Sequence, residues 1–118
     1  MEEINEIKQA VKKVGFSVKN NLCHKIENNI LFVLNFHKRA DLIYNTEMGM
    51  CLDTNKKPSL KSCDCVETLW GNFTNSKEKI QAILQWFNER NNIDKVKKLY
   101  QQGKLATVCD ISLKEKLK

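Results

Sequence analysis

Proline and glycine are scarce in this chain of 118 residues, with one proline, Pro58, and four glycines. So few glycines leave little backbone for wrapping phosphates. No Walker loop, glycine-rich dinucleotide fingerprint or nucleophile elbow is present. Arginine is nearly missing as well: Arg39 and Arg90 stand against 18 lysines. Recognition of phosphates and base edges favours the guanidinium fork, so this lysine bias argues against a dedicated nucleic-acid reader. Long apolar runs are absent. The longest covers residues 30–34, far short of the ~20 residues of a membrane-spanning helix. The first residues, Met1-Glu2-Glu3, are acidic where a secretory signal would be basic and then apolar. A cytoplasmic protein is therefore expected, with no membrane partner.

What is present is a basic balance, net charge +6 and pI about 9.1, with 13 asparagines and five cysteines. A positive surface suits an anionic partner, either nucleic acid or an acidic protein. Lysine and asparagine enrichment also follows from AT-rich coding, which gives the charge a merely compositional reading. The cysteine number is odd, and without an export signal free thiols in a reducing compartment are expected. The length points to one domain, 1–118, that buries roughly two-thirds of its unfolded surface.

Ile4, Ile7, Val11 and Val14 recur at helical spacing and predict a first helix over 4–14, ended by Gly15. Phe16, Val18 and residues 22–26 suggest one irregular strand. Asn28-Asn29 suits a tight turn. Residues 30–36, ILFVLNF, are apolar on both faces, which predicts a central strand covered on both sides. Residues 42–52 alternate instead: Tyr44, Thr46, Met48 and Met50 face one way, and Asn45, Glu47, Gly49 and Cys51 the other. The polar face is expected to meet water or a partner. A loop over 53–62, a weak strand over 63–73, and a helix entered at Ser76 and striped by Ile80, Ile83, Leu84 and Phe87 follow. Asn91-Asn92 should break that helix, and a further one should stop at Gly103. Residues 105–111 could pack extended on an edge, and SLKEKLK is expected to fray. The fold class is α+β: an antiparallel sheet of three to four strands packed by an N-terminal helix and two C-terminal helices.

Chemistry is thin. Cys63-x-Cys65 has one intervening residue, where zinc sites use two to four; both thiols should share one strand face. His24 and His37 are the only histidines, and a general base needs a partner within hydrogen-bond reach. Asp41 and Glu47 are the nearest acids to His37. No cofactor or metal is expected, and no catalytic residue is assigned. Basic groups gather at 37–39, 56–57, 95–98 and the tail. Trp70 and Trp86 are candidates for the core margin, and a tryptophan left partly exposed makes a good contact anchor. The candidate contact residues are Lys38, Arg39, Asn45, Glu47, Lys56, Lys57 and Trp70.

The order of features carries a resemblance. VKKVGFSVKNNLCHK, NNILFVLNFHK, DLIYNTEMGMCLD and IQAILQWF follow one another. Over roughly residues 5–100 the chain resembles a family of small bacterial α+β proteins of uncharacterised function, similar in look to toxin-immunity proteins. Gly15-Phe16 and Met48-Gly49-Met50 carry most of the likeness. Where this chain has Asn35 or His37 the family often has Gln, and it often has Asn at the place of Met48. The resemblance implies no catalytic residue, and the absence of site chemistry together with a polar sheet face leads to the expectation of a binding protein, not an enzyme, that neutralises a toxin domain by covering its surface. The alternative is a basic nucleic-acid-binding module, and a third option is a small enzyme using His37.

Overall fold

The structure is a computed structural model. It describes residues 3–38, 44–69, 75–105, 108–109, 113 and 117, with the backbone alone at 3, 38, 44, 108 and 109. The elements run α1 (Glu3–Lys13), β1 (Ser17–Lys19), β2 (Leu22–Glu27), β3 (Ile30–Lys38), β4 (Tyr44–Cys51), a 3-10 turn (Leu60–Ser62), β5 (Cys65–Thr68), α2 (Ser76–Asn88), α3 (Ile93–Gln101) and β6 (Val108–Cys109). The strands form one antiparallel meander in chain order. The α+β class and the placing of the helices agree with the sequence. The sheet is wider than the expected three to four strands: five of them, plus a two-residue sixth.

The extra strand comes from the irregular segment after α1. Asn20 takes a φ of 55°, so the chain folds back there and one expected strand becomes the pair β1 and β2. Asn28 and Asn29, at φ 51° and 63°, turn β2 into β3. Asparagine tolerates the left-handed region because its short amide bonds locally. With few glycines available, asparagine makes the turns. It also starts both C-terminal helices. Asn75 Oδ1 accepts from Glu78 N and Asn92 Oδ1 from Lys95 N, each at 3.0 Å. The cap of α2 is thus Asn75, not the expected Ser76, whose hydroxyl instead donates to Glu6 Oε2 and ties α2 to α1. Gly15 and Gly103 end α1 and α3 at positive φ, with the following residues bonding back from Phe16 N to Val11 O and from Lys104 N to Leu99 O.

One sheet face carries Ile30, Phe32, Leu34, Phe36, Met48, Met50 and Cys65 against Ile4, Ile7, Val11, Ile83, Trp86 and Phe87 of the helices. Phe87 meets Phe32 edge-on at 4.8 Å and Phe16 at 5.4 Å. Leu113 and Leu117 are also buried here, with Leu117 N bonded to Leu113 O. Of the SLKEKLK end, expected to fray, only Leu113 and Leu117 are among the described residues.

Candidate functional site: a sheet face bordered by a flap

Strand register assigns the second sheet face. Its rows are Ile26–Leu31–Cys51, then Ser17–His24–Val33–Gly49–Val66, then Lys19–Leu22–Asn35–Glu47–Thr68, with His37 beside Asn45 at the end. The first two rows hold Leu31, Val33 and Cys51, all 0% exposed. Helix α1 is not what covers them, since it packs on the opposite face. The cover is the 52–64 segment, which contains the loop expected over 53–62; it returns over the sheet as a flap and packs Leu60 and Cys63 on this cluster.

The flap is closed at its base by hydrogen bonds within the chain. Asp64 is buried; its Oδ2 accepts from Leu52 N at 2.8 Å, and its own N donates to Met50 O at 2.8 Å. Asp53 Oδ1 accepts from Asn55 N at 3.0 Å and turns the chain outward. Two thiols donate to flap carbonyls, Cys51 Sγ to Asp53 O and Cys63 Sγ to Ser59 O, both at 3.3 Å. Burial pushes the Cys63 thiol up to about 12, with Cys51 and Asp64 adding to the rise and Lys56 opposing it. Burial likewise pushes Cys23 up to about 11 against the pull of Lys8. Burial thus favours the thiol form of Cys23 and Cys63, and the thiolate is the reactive form.

Cys63 and Cys65 do not share a face. Cys63 lies before β5 in the flap cluster, while Cys65 belongs to the helix-side core. The chain leaves the flap between them, so period-two alternation does not apply across both. Among the described residues no group of three or more His, Cys, Asp and Glu could hold a metal ion.

Beyond the flap cluster the second face is largely polar and half-buried. Asn45 and Glu47 stand there as the sequence suggests, beside Asn35, Leu22 and Lys19. Lys56 and Lys57 are exposed on the flap. Lys38 pairs with Tyr44 through its backbone, and its side chain is outside the described part. Arg39, Asp41 and Trp70 lie outside the described residues. His37 is exposed, and no hydrogen bond among the described residues joins it to an acid. The aromatic side chains Phe16, Phe32, Phe36, Trp86 and Phe87 are all buried on the helix side.

Sequence reading missed a polar cluster between β5 and α2. Arg90 is buried; Nη2 and Nε donate to Leu105 O at 2.9 and 3.3 Å, and Nη1 to Trp86 O at 3.0 Å. Glu67 Oε1 stands 3.6 Å from Nη2, at the rim of a cavity of about 300 Å³ lined also by Met48, Thr68, Leu69 and Trp86. Burial raises the Glu67 pKa, and Arg90 opposes that rise. The guanidinium is consumed by carbonyls and acids, so its work is to fasten the segment at Leu105 to α2. The one signal available was the rarity of arginine: a chain that otherwise uses lysine spends an arginine where several acceptors converge.

No protein-family model, curated protein or solved structure matches the chain. Among the described residues no helix is long and apolar enough to cross a membrane.

Proposed function

We propose that this chain is a cytoplasmic binding protein that acts by covering a surface of another protein, most concretely an immunity protein that neutralises a toxin domain. The observation that supports this is the division of the second sheet face. Its apolar half is sealed by the chain's own flap. The other half carries a half-buried, largely polar row, Lys19–Leu22–Asn35–Glu47–Thr68, and Lys56 and Lys57 are exposed on the flap. Such a row offers side chains from five strands on a rigid support. Contact faces of this mixed kind bind through complementarity rather than chemistry. The exposed lysines of the flap favour an acidic protein surface. A single-stranded nucleic-acid platform would instead set aromatics among the lysines, and the described aromatic side chains of the strands point to the helix side.

The test is to sequence the neighbouring genes and co-express the chain with any toxin domain encoded there; the absence of one would count against the reading. Expected are restored growth and a stable complex on size exclusion, with Glu47→Lys and the pair Lys56→Glu and Lys57→Glu weakening it at least tenfold. Unrelieved toxicity with the chain in excess would overturn the reading. So would binding to nucleic acid whose affinity falls steeply with salt, at a slope of about −0.9 per phosphate contact.

A further inference from the structure

The outer edge of the sheet at β1 carries an inference that rests on the protein-binding reading. We propose that β1 is a strand-addition site for an extended acidic segment of the partner. The hydrogen-bond phase is the starting point. Phe36 N donates to Asn21 O at 2.8 Å. That bond extends the β2–β3 ladder, in which Cys23 faces Leu34 and Lys25 faces Phe32. Antiparallel pairs alternate between bonded and non-bonded positions. Asn21, Cys23 and Lys25 therefore bond to β3, whereas Leu22 and His24 bond back to Lys19 and Ser17. Val18 lies opposite Cys23, so its N–H and C=O turn away from β2 towards the open edge. No loop or helix bond among the described residues takes them.

Beside this edge runs a groove of about 320 Å³, lined by Asn5, Lys8, Gln9, Lys12 and Val18. The four α1 residues form one helical stripe, and Val18 is the strand residue facing it. A strand laid against β1 would place alternate side chains in this groove, next to Lys8 and Lys12. The other set would fall beside Lys19, at the end of the polar row. None of these three lysines has an ion pair among the described residues. Unpaired donor and acceptor on one residue suit a peptide backbone, which offers both, while phosphates offer acceptors only. A second copy of this chain is disfavoured, because edge-to-edge pairing would bring the same lysines together. The occupant is an extended acidic peptide segment. Its addition site is short, so it sets register and adds to the contact made by the sheet face.

The test uses the full chain, isotopically labelled, and a capped eight-residue peptide alternating Glu and Val, with a Lys-and-Val peptide as control. Expected are amide shifts confined to residues 17–19 and 5–12. The affinity should fall at least tenfold in the Lys8→Glu, Lys12→Glu double variant. Val18→Pro deletes an N–H that β2 does not use, and should abolish the shifts while the rest of the spectrum is unchanged. If Val18→Pro fails to fold, the double variant decides alone. Equal binding of the Lys peptide, shifts centred on Lys56, Lys57 and Lys61, no binding at millimolar peptide, or full affinity in the double variant would overturn the proposal. A toxin complex unaffected by the double variant would remove the edge site and leave the immunity function. Peptide binding without toxin rescue would do the reverse.

Discussion

Cys63 rests on Gly49. A methyl group on that glycine would lie 2.4 Å from the cysteine sulfur and 3.0 Å from its Cβ, with Leu60 Cδ2 at 3.2 Å. The flap seats where β4 has no side chain. Gly49→Ala should therefore lift the flap rather than disturb the helix-side core, at a cost of about 1–3 kcal/mol as overpacking. In a Cys63→Ala background the same change should cost markedly less. Urea titration of the four proteins in the cycle measures the coupling, and simple additivity would show that the sulfur does not oppose the new methyl.

Val33 tests what the flap does. It is fully buried beneath Leu60 and Cys63, so Val33→Lys places an unpaired charge in an apolar cluster and should cost several kcal/mol. Replacing residues 54–62 by a short Gly-Ser link opens that cluster. In the shortened protein the lysine should be tolerated with a loss under about 1 kcal/mol. An equal, large loss in both backgrounds would mean that something other than the flap excludes water there.

Phe87 joins the strand and helix surfaces of the main core, edge-on to both Phe16 and Phe32 and with Lys25 Nζ 5.0 Å from its ring centre. Phe87→Ala should lower unfolding stability by about 3–5 kcal/mol. A midpoint shift in urea corresponding to less than about 1 kcal/mol would place this helix elsewhere.

Glu67 should leave a mark on the pH profile. Its pKa is raised in the folded state, first by burial, so the fold favours its protonated form. Its contribution is most favourable below the ordinary carboxylate pKa and is lost as pH rises through the raised folded value. Glu67→Gln cannot ionise. The stability of the Gln variant relative to the parent should therefore rise with pH across that interval and level off above it. Thermal unfolding at a series of pH values reads this directly, and a flat difference would remove Glu67 from the proton linkage.

Local pattern alone determined much of this protein. The stripe Ile4, Ile7, Val11 placed α1, the run Ile80, Ile83, Phe87 placed α2, and the two apolar faces of 30–36 placed a central strand covered on both sides. Gly15, Asn28-Asn29 and Gly103 marked turns because their backbone preferences act within a few residues. Asn45 and Glu47 could be assigned to the polar sheet face for the same reason, since alternation along one strand is a local property. Other features depend on contacts distant in sequence. Two of the five β-paired main strands arose from one turn at Asn20, which no apolar period announces. The cover over Leu31 and Val33 came from Leu60 and Cys63, about thirty residues on, and was selected by the missing side chain at Gly49. Arg90 gained its role only when Leu105, Trp86 and Glu67 converged around it. The free edge of Val18 follows from the phase of a ladder that begins at Phe36. Periodicity reports which face of an element is oily, while tertiary packing decides which segment covers that face and which backbone groups remain unpaired.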